Sequence, residues 1–321
     1  GLGYLLMSQI GAIWQLYLFY GVIIAMGMSG GFVPLVSTVA RWFVKRRGLM
    51  TGIVSAGIGV GTMVIPPLAG WLISTYDWRL SYIIVGSLAL VLIMLAAQFL
   101  RHDPGQMGYL PYGDGEVNEK VELDGIDLGN RALSLSEAIH TRQFWMCSAI
   151  FFLFVFCVQT ILVHIVIHAT GLGIPEASAV NIMSIIGGLS IAGRVIVGGV
   201  ADRIGNKLTL TISFSLMAVA LFWLVIAREL WMLYLFAAIF GFVYGGTITL
   251  ESPIAAELFG MSSHGVILGG IAFISTVGGA IGPVLAGHIF DIGSSYQPAF
   301  LVCIALSIIA IILALFLRPI T

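Results

Sequence analysis

Nine apolar runs, each long enough to cross a bilayer as a helix, occupy most of this 321-residue chain. They fall near 14–40, 48–73, 79–100, 144–168, 178–200, 208–227, 231–257, 265–289 and 298–317, and residues 1–10 read as the tail of another. A spanning helix needs about 20 apolar residues. Transmembrane β-strands instead alternate apolar and polar positions over ~10 residues, and these runs do not alternate. The sequence therefore predicts an all-α polytopic membrane protein with the lipid bilayer as its surroundings. Composition agrees: 59% of residues are hydrophobic and 9% charged, against about 25% charged in soluble domains.

The few cations are unevenly placed. One set of loops and helix ends holds Arg41, Lys45, Arg46, Arg47, Arg101, Lys120, Arg131, Arg142, Arg194, Arg203, Lys207 and Arg318; the other holds Arg79 and Arg228. The positive-inside rule puts the first set in the cytoplasm, which predicts a multi-pass protein of the cell (inner) membrane with its linker and C-terminus cytoplasmic. That linker is 101–141, the one long polar segment. It carries Asp103, Asp114, Glu116, Glu119, Glu122, Asp124, Asp127 and Glu137. These acids read as a solvated face, because the spacing of an EF-hand loop is absent. Ser134 with Glu137 has the spacing of a capping box opening a short surface helix. A net charge of −1 and the lack of a basic arm indicate no nucleic-acid partner. Cys147, Cys157 and Cys303 lie singly in apolar runs, so neither a metal nor a redox pair is indicated.

The two sides of the linker resemble each other at an offset of 217 residues. WQLYLF begins at Trp14 and WMLYLF at Trp231; the same shift pairs Gly48 with Gly265, Gly52 with Gly269, Gly61 with Gly278 and Pro66 with Pro283. Such a register is the mark of a parallel repeat in two-half transporters. Six helices follow the linker, and only the last four have counterparts before it. The repeat thus predicts a 6+6 plan with about the first two and a half helices missing, roughly 75 residues. The domains are read as an incomplete N-terminal helix bundle over 1–100 (end of helix 3 to helix 6), a cytoplasmic linker over 101–141, and a C-terminal six-helix bundle over 142–321 (helices 7 to 12).

Charges at lipid depth are the natural functional candidates. Arg194 sits eight residues before Asp202, about 12 Å further along the helix. A guanidinium there costs roughly 2.5–3.5 kcal/mol on insertion scales, so it requires a partner. Its planar fork suits a carboxylate; a salt bridge to a protein acid, or snorkelling to the cytoplasmic face, would also serve. Glu251 reads either as a proton-accepting acid or as an ion-pair partner of Arg194 or a loop cation, and Tyr244 shares its helix face. Gln159 and Asn181 are candidate cavity-lining hydrogen bonders. His164 and His168 have an i, i+4 spacing that could hold zinc, but no third ligand is evident, so they read as interfacial histidines or a pore rim. Gly57, Gly59 and Gly61 mimic a phosphate loop, yet no strand precedes them and no Lys follows. They read as helix-packing positions, and Pro66, Pro67 and Pro283 as bends near a cavity.

Two motifs carry a family resemblance. Gly198, Asp202, Arg203, Gly205 and Lys207 spell G-x-x-x-D-R-x-G-x-K, which resembles the loop signature of the major facilitator superfamily. Residues 42–57, WFVKRRGLMTGIVSAG, resemble the helix-four-to-five motif of monocarboxylate porters, with Trp42, Met50 and Val54 as mild departures. DPGQMGYLP and SLSEAIHTRQFW are similar to oxalate/formate-type antiporters. The resemblance implies secondary transport of a small organic anion, most simply a monocarboxylate, by proton symport or anion exchange, with no cofactor and no enzymatic activity. It implies that Arg194 on helix eight binds the carboxylate; from their own polarity and position Gln159, Asn181 and Tyr244 are candidate substrate-binding neighbours and Glu251 is the proton-coupling candidate. It also implies a cytoplasmic gate of Asp202, Arg203, Lys207, Arg41, Lys45, Arg46 and Arg47, whose partners are the ends of neighbouring helices. Ser190 stands where some relatives place an Asp, and 265–289 lacks the Lys of oxalate-type relatives. One arginine fits a monoanion better than a dianion. The rival readings are a carrier of this fold for a drug or sugar, and an intramembrane enzyme using His164, for which no nucleophile–base pair is apparent.

Overall fold

A computed structural model describes residues 1–101, 104–105, 108–112 and 133–317. Asp103, Asp114, Glu116, Glu119, Lys120, Glu122, Asp124, Asp127, Arg131 and Arg318 lie outside the described residues. The helices are α1 (Leu2–Met7), α2 (Ile13–Trp42), α3 (Arg47–Thr75), α4 (Trp78–Phe99), α5 (Leu135–Ile139), α6 (Arg142–Gly171), α7 (Glu176–Ile204), α8 (Asn206–Ile226), α9 (Leu230–Phe259), α10 (His264–Gly293) and α11 (Gln297–Phe316). Among the described residues nine helices are long and apolar enough to cross a membrane. The helix limits repeat as the sequence does. A shift of 217 residues carries Ile13–Trp42 onto Leu230–Phe259, Arg47 onto His264 and Phe99 onto Phe316.

Two spans expected to be continuous are interrupted. In α2, residues Tyr17–Ile24 are π-helical, and the helix breaks at Gly30 and Gly31 before resuming over Phe32–Trp42. Pro34 explains the break: it has no N–H, and its ring collides with the carbonyl four residues back, at Gly30. In α9 the helix runs over Leu230–Thr249 and again over Glu251–Phe259, with Leu250 between. Pro253 acts in the same way on Thr249. Pro66, Pro67 and Pro283, in contrast, lie inside uninterrupted helices.

Lipid tails are as apolar as leucine, so helices in a membrane associate through close packing of small residues. The antiparallel pair α3 and α7 follows this rule. Gly48 faces the Gly198 backbone, Gly52 the Arg194 carbonyl, Gly59 the Gly187 carbonyl and Gly187 the Met63 backbone. A Cβ on Gly52 would overlap the Arg194 carbonyl oxygen, so only glycine permits this approach. Helices α7 and α9 run parallel through Gly193, Gly241 and Gly245, and α6 meets α10 at Gly278 and Gly282. The best-buried phenylalanines, among them Phe151, Phe154, Phe214, Phe236 and Phe300, belong to α6, α8, α9 and α11. Helices α2, α3 and α4 expose Trp14, Met28, Ile53, Trp71 and Val91.

Candidate functional site

Arg194 lies on α7, where that helix meets α3 on one side and α9 on the other. It is 0% exposed. Its guanidinium carbon stands 5.2 Å from the centre of the Tyr244 ring on α9, within the range of a cation–π contact. Among the described residues Nε, Nη1 and Nη2 have no hydrogen-bond partner. Ser190, one turn earlier, does not help, because its hydroxyl donates to the Gly187 carbonyl at 2.7 Å. The guanidinium thus has the Tyr244 side chain against it and no carboxylate bonded to it among the described residues.

Glu251 opens the second segment of α9, at the break made by Pro253. It is 3% exposed, and its Oε1 has no hydrogen-bond partner among the described residues. The suggested ion pair with Arg194 is therefore not formed. Glu251 follows Tyr244 by seven residues, about 10 Å along the axis. Two ionisable side chains of opposite type thus share the interior of α7 and α9 at different depths, and they are not paired with each other.

The structure does not bring Gln159 and Asn181 to this pair. Both are exposed, and Gln159 lies against Gly279 of α10. Asn181 precedes Arg194 by 13 residues, about 20 Å along α7. His164 is buried and tied on both ring nitrogens: Nε2 lies 2.9 Å from the Pro283 carbonyl and Nδ1 3.2 Å from the Tyr296 hydroxyl. A carbonyl only accepts, so Nε2 carries the proton and Nδ1 accepts from Tyr296. Burial and the Asp291 carboxylate raise the pKa of the Tyr296 phenol, which keeps it a donor. His168 packs edge-on against Phe300, 5.0 Å between centres. No group of three metal-ligating side chains occurs among the described residues.

The charged signature forms a second cluster. Asp202 accepts hydrogen bonds from the backbone N–H groups of Gly48 and Leu49, both at 2.9 Å. These donors belong to the first turn of α3, which has no helical acceptors for them and carries a partial positive charge. Arg46, which precedes that turn, is left-handed with φ 60°. Arg47 Nε donates to the Phe43 carbonyl at 3.3 Å. Arg203, Lys207 and Lys45 are exposed, and Arg41 lines a cavity of about 260 Å³ with Ser37, Ser262 and Ser263 at the start of α10.

Several contacts were absent from the reading of the sequence. Asn206 donates to the Glu257 carboxylate at 2.7 Å, and the Ser252 hydroxyl lies 3.0 Å from His264 Nε2. Tyr112 of the linker is bound to the turn between α2 and α3. The first two had only polar residue type as a signal; Tyr112 had none beyond its turn-rich neighbourhood.

The sequence profile of the Major Facilitator Superfamily matches residues 1–226 and 189–321. Similar proteins include monocarboxylate transporter 12 of Rattus norvegicus, 27% identical over 90% of this chain and 63% of its own length. Monocarboxylate transporter 13 of Rattus norvegicus is 25% identical over 94% of the chain and 67% of its own length. The uncharacterized MFS-type transporter YhjX of Escherichia coli (strain K12) is 26% identical over 83% and 64%. The chain thus spans about two thirds of the length of these relatives.

Proposed function

The chain belongs to the major facilitator superfamily, and from that premise we propose that it moves a small organic anion, a monocarboxylate, across the cell membrane by alternating access. The observation that carries this reading is Arg194, buried against Tyr244 with three guanidinium nitrogens that have no hydrogen-bond partner among the described residues. A charge-assisted, bidentate bond to a carboxylate supplies what the fold withholds. The cargo's charge neutralises the arginine and leaves with the cargo. The names of the rat relatives point to the same substrate class.

In this reading residues 1–100 and 142–321 form two bundles that rock about α3 and α7, and 101–141 links them. Arg194 is closed off on all sides, so an anion reaches it only when α7 parts from its neighbours. Tyr244 orients the guanidinium, and Glu251 carries a proton in symport. Asp202 holds the latch end closed, with Arg41, Lys45, Arg46, Arg47, Arg203 and Lys207 around it. The cation distribution makes the latch end cytoplasmic. Gln159 and Asn181 line the opposite part of the path.

Counterflow in proteoliposomes loaded with lactate, pyruvate, formate or oxalate tests the proposal. Uptake of at least one monoanion is expected. Arg194→Ala should lower it about 10- to 100-fold, the worth of a hydrogen bond to a charged group, and Arg194→Lys should recover part of the loss. Unchanged uptake of every anion in Arg194→Ala would remove the proposal.

A further inference from the structure

We propose that linker residues 108–112 are a strap that forms part of the latch. It docks on the turn between α2 and α3 and holds that turn in the shape that Asp202 binds. The proposal rests on the latch reading given above.

The turn between α2 and α3 has backbone donors that no helix satisfies. Four of them are taken by groups from elsewhere in the chain. Val44 and Lys45 donate to the Tyr112 carbonyl at 3.1 and 3.2 Å. Gly48 and Leu49 donate to Asp202. Between the two pairs stands Arg46 with φ 60°, a conformation that a residue with a side chain keeps only when its surroundings impose it.

The strap is itself anchored. The Tyr112 N–H donates to the Trp42 carbonyl at 2.8 Å, and Tyr112 forms a parallel β-bridge with Phe43, their rings 6.1 Å apart. The Trp42 indole N–H donates to the Arg101 carbonyl at 3.1 Å. Trp42 is thereby held from both sides by the polar segment. A segment that only tethers two bundles needs no such backbone pairing. Here the pairing fixes four consecutive residues, Trp42 to Lys45, immediately before the donors that Asp202 uses. Displacing the strap frees the turn, and the carboxylate loses the geometry of its two donors.

The test uses the full-length protein in proteoliposomes, with Thr51→Cys as reporter. Thr51 is 0% exposed and lies one turn inside Gly48. Cys147, Cys157 and Cys303 are buried, so the protein without the reporter supplies the background rate of N-ethylmaleimide labelling. Tyr112→Pro removes the N–H that binds Trp42. Tyr112→Pro and Asp202→Asn should each speed labelling of the reporter about tenfold, and the double variant should be no faster than the quicker single one. A rise in Asp202→Asn with none in Tyr112→Pro overturns the strap and leaves the latch standing. A rise in Tyr112→Pro alone overturns the route through Asp202. No rise in either overturns both.

A second pair locks the strap in place instead of releasing it. Bridge partners on adjacent strands lie within disulfide reach, so Phe43→Cys with Tyr112→Cys should crosslink on oxidation. The crosslink should slow anion exchange, and dithiothreitol should restore it. Exchange at the parent rate in the crosslinked protein overturns the proposal.

Discussion

The Asp202 carboxylate closes on the backbone N–H of Gly48 at 2.9 Å, across 154 residues of chain. Its other oxygen takes the next N–H, so one side chain satisfies two orphan donors at the positive end of a 29-residue helix. Such contacts are worth about 0.3–2 kcal/mol. Asp202→Asn keeps one acceptor and loses the charge. It should shift the balance between the two access states by a factor of about 2 to 30. The measurement is the ratio of anion affinities from the two sides of oriented vesicles. An unchanged ratio would remove Asp202 from the latch.

Gly52 and Gly61 occupy the same helix but differ in what surrounds them. A Cβ on Gly52 would overlap the Arg194 carbonyl, whereas one on Gly61 meets nothing within 4 Å. Gly52→Ala should therefore cost about 1–3 kcal/mol and abolish transport by displacing the helix that carries Arg194. Gly61→Ala should be neutral, or stabilise by up to ~1 kcal/mol through helix propensity. Gly278, the repeat mate of Gly61, faces the Phe152 carbonyl, so Gly278→Ala should behave like Gly52→Ala. Thermal unfolding in detergent with parallel counterflow separates the three. Equal effects at Gly52 and Gly61 would contradict the packing.

His164 joins α6 to the Pro283 carbonyl of α10 and to Tyr296 before α11. His164→Gln preserves a donor and should cost less than His164→Phe, which leaves a buried carbonyl without that donor. The expected loss for His164→Phe is about 1–3 kcal/mol. A double-mutant cycle with Tyr296→Phe should show coupling above ~0.5 kcal/mol. Strict additivity would mean that the pair is not bonded in solution.

Much of this architecture is legible in the sequence because a bilayer accepts so few solutions. Backbone groups in lipid must pair within the segment, so each span had to appear as a run of about 20 apolar residues, and each did. Arg194 stood out for a similar reason, since a charge at lipid depth is costly enough to need a cause. Asp202 was expected at the end of a neighbouring helix, and it meets the first turn of α3. The breaks at Gly30 and Leu250 were less visible. They follow from a proline acting on the carbonyl four residues back, which hydropathy does not register. Gln159 and Asn181 show the limit of reading polarity: an amide in an apolar run marks cost but not direction, and both side chains are exposed and stand away from Arg194. The strap was hidden because Tyr112 pairs with Trp42, Val44 and Lys45 through backbone atoms, which leave no trace in residue type.

The short helix α5 carries a pH dependence outside the membrane. The Ser134 N–H and hydroxyl both donate to Glu137 at 2.8 Å, and these bonds hold its carboxyl below the ordinary value of 4.5. A depressed pKa means that the folded state favours the charged form. The contribution is therefore complete above about pH 4.5 and disappears as pH falls through the lowered value. The protection factors of the Ala138 and Ile139 amides, with intrinsic exchange divided out, should fall in acid. Ser134→Ala should lower them at neutral pH and flatten the dependence. Protection factors that do not change with pH in the parent protein would show that the capping box is not formed.

Glu251 offers the sharpest division between symport and exchange. It is buried at a helix break with Oε1 unpartnered, and it stands apart from Arg194 in depth. In the symport reading a proton arriving there neutralises a carboxylate whose Oε1 has no hydrogen-bond partner among the described residues, just as the cargo would neutralise the arginine. Glu251→Gln keeps the shape, removes the titration and leaves Arg194 intact. Counterflow, which needs no net proton movement, should persist. Accumulation driven by a pH gradient should fall from about tenfold per pH unit to none. Arg194→Lys should instead weaken both assays together. Were Glu251→Gln to accumulate anion against a gradient as the parent does, the proton would travel on another group, and the acid at the break would be structural.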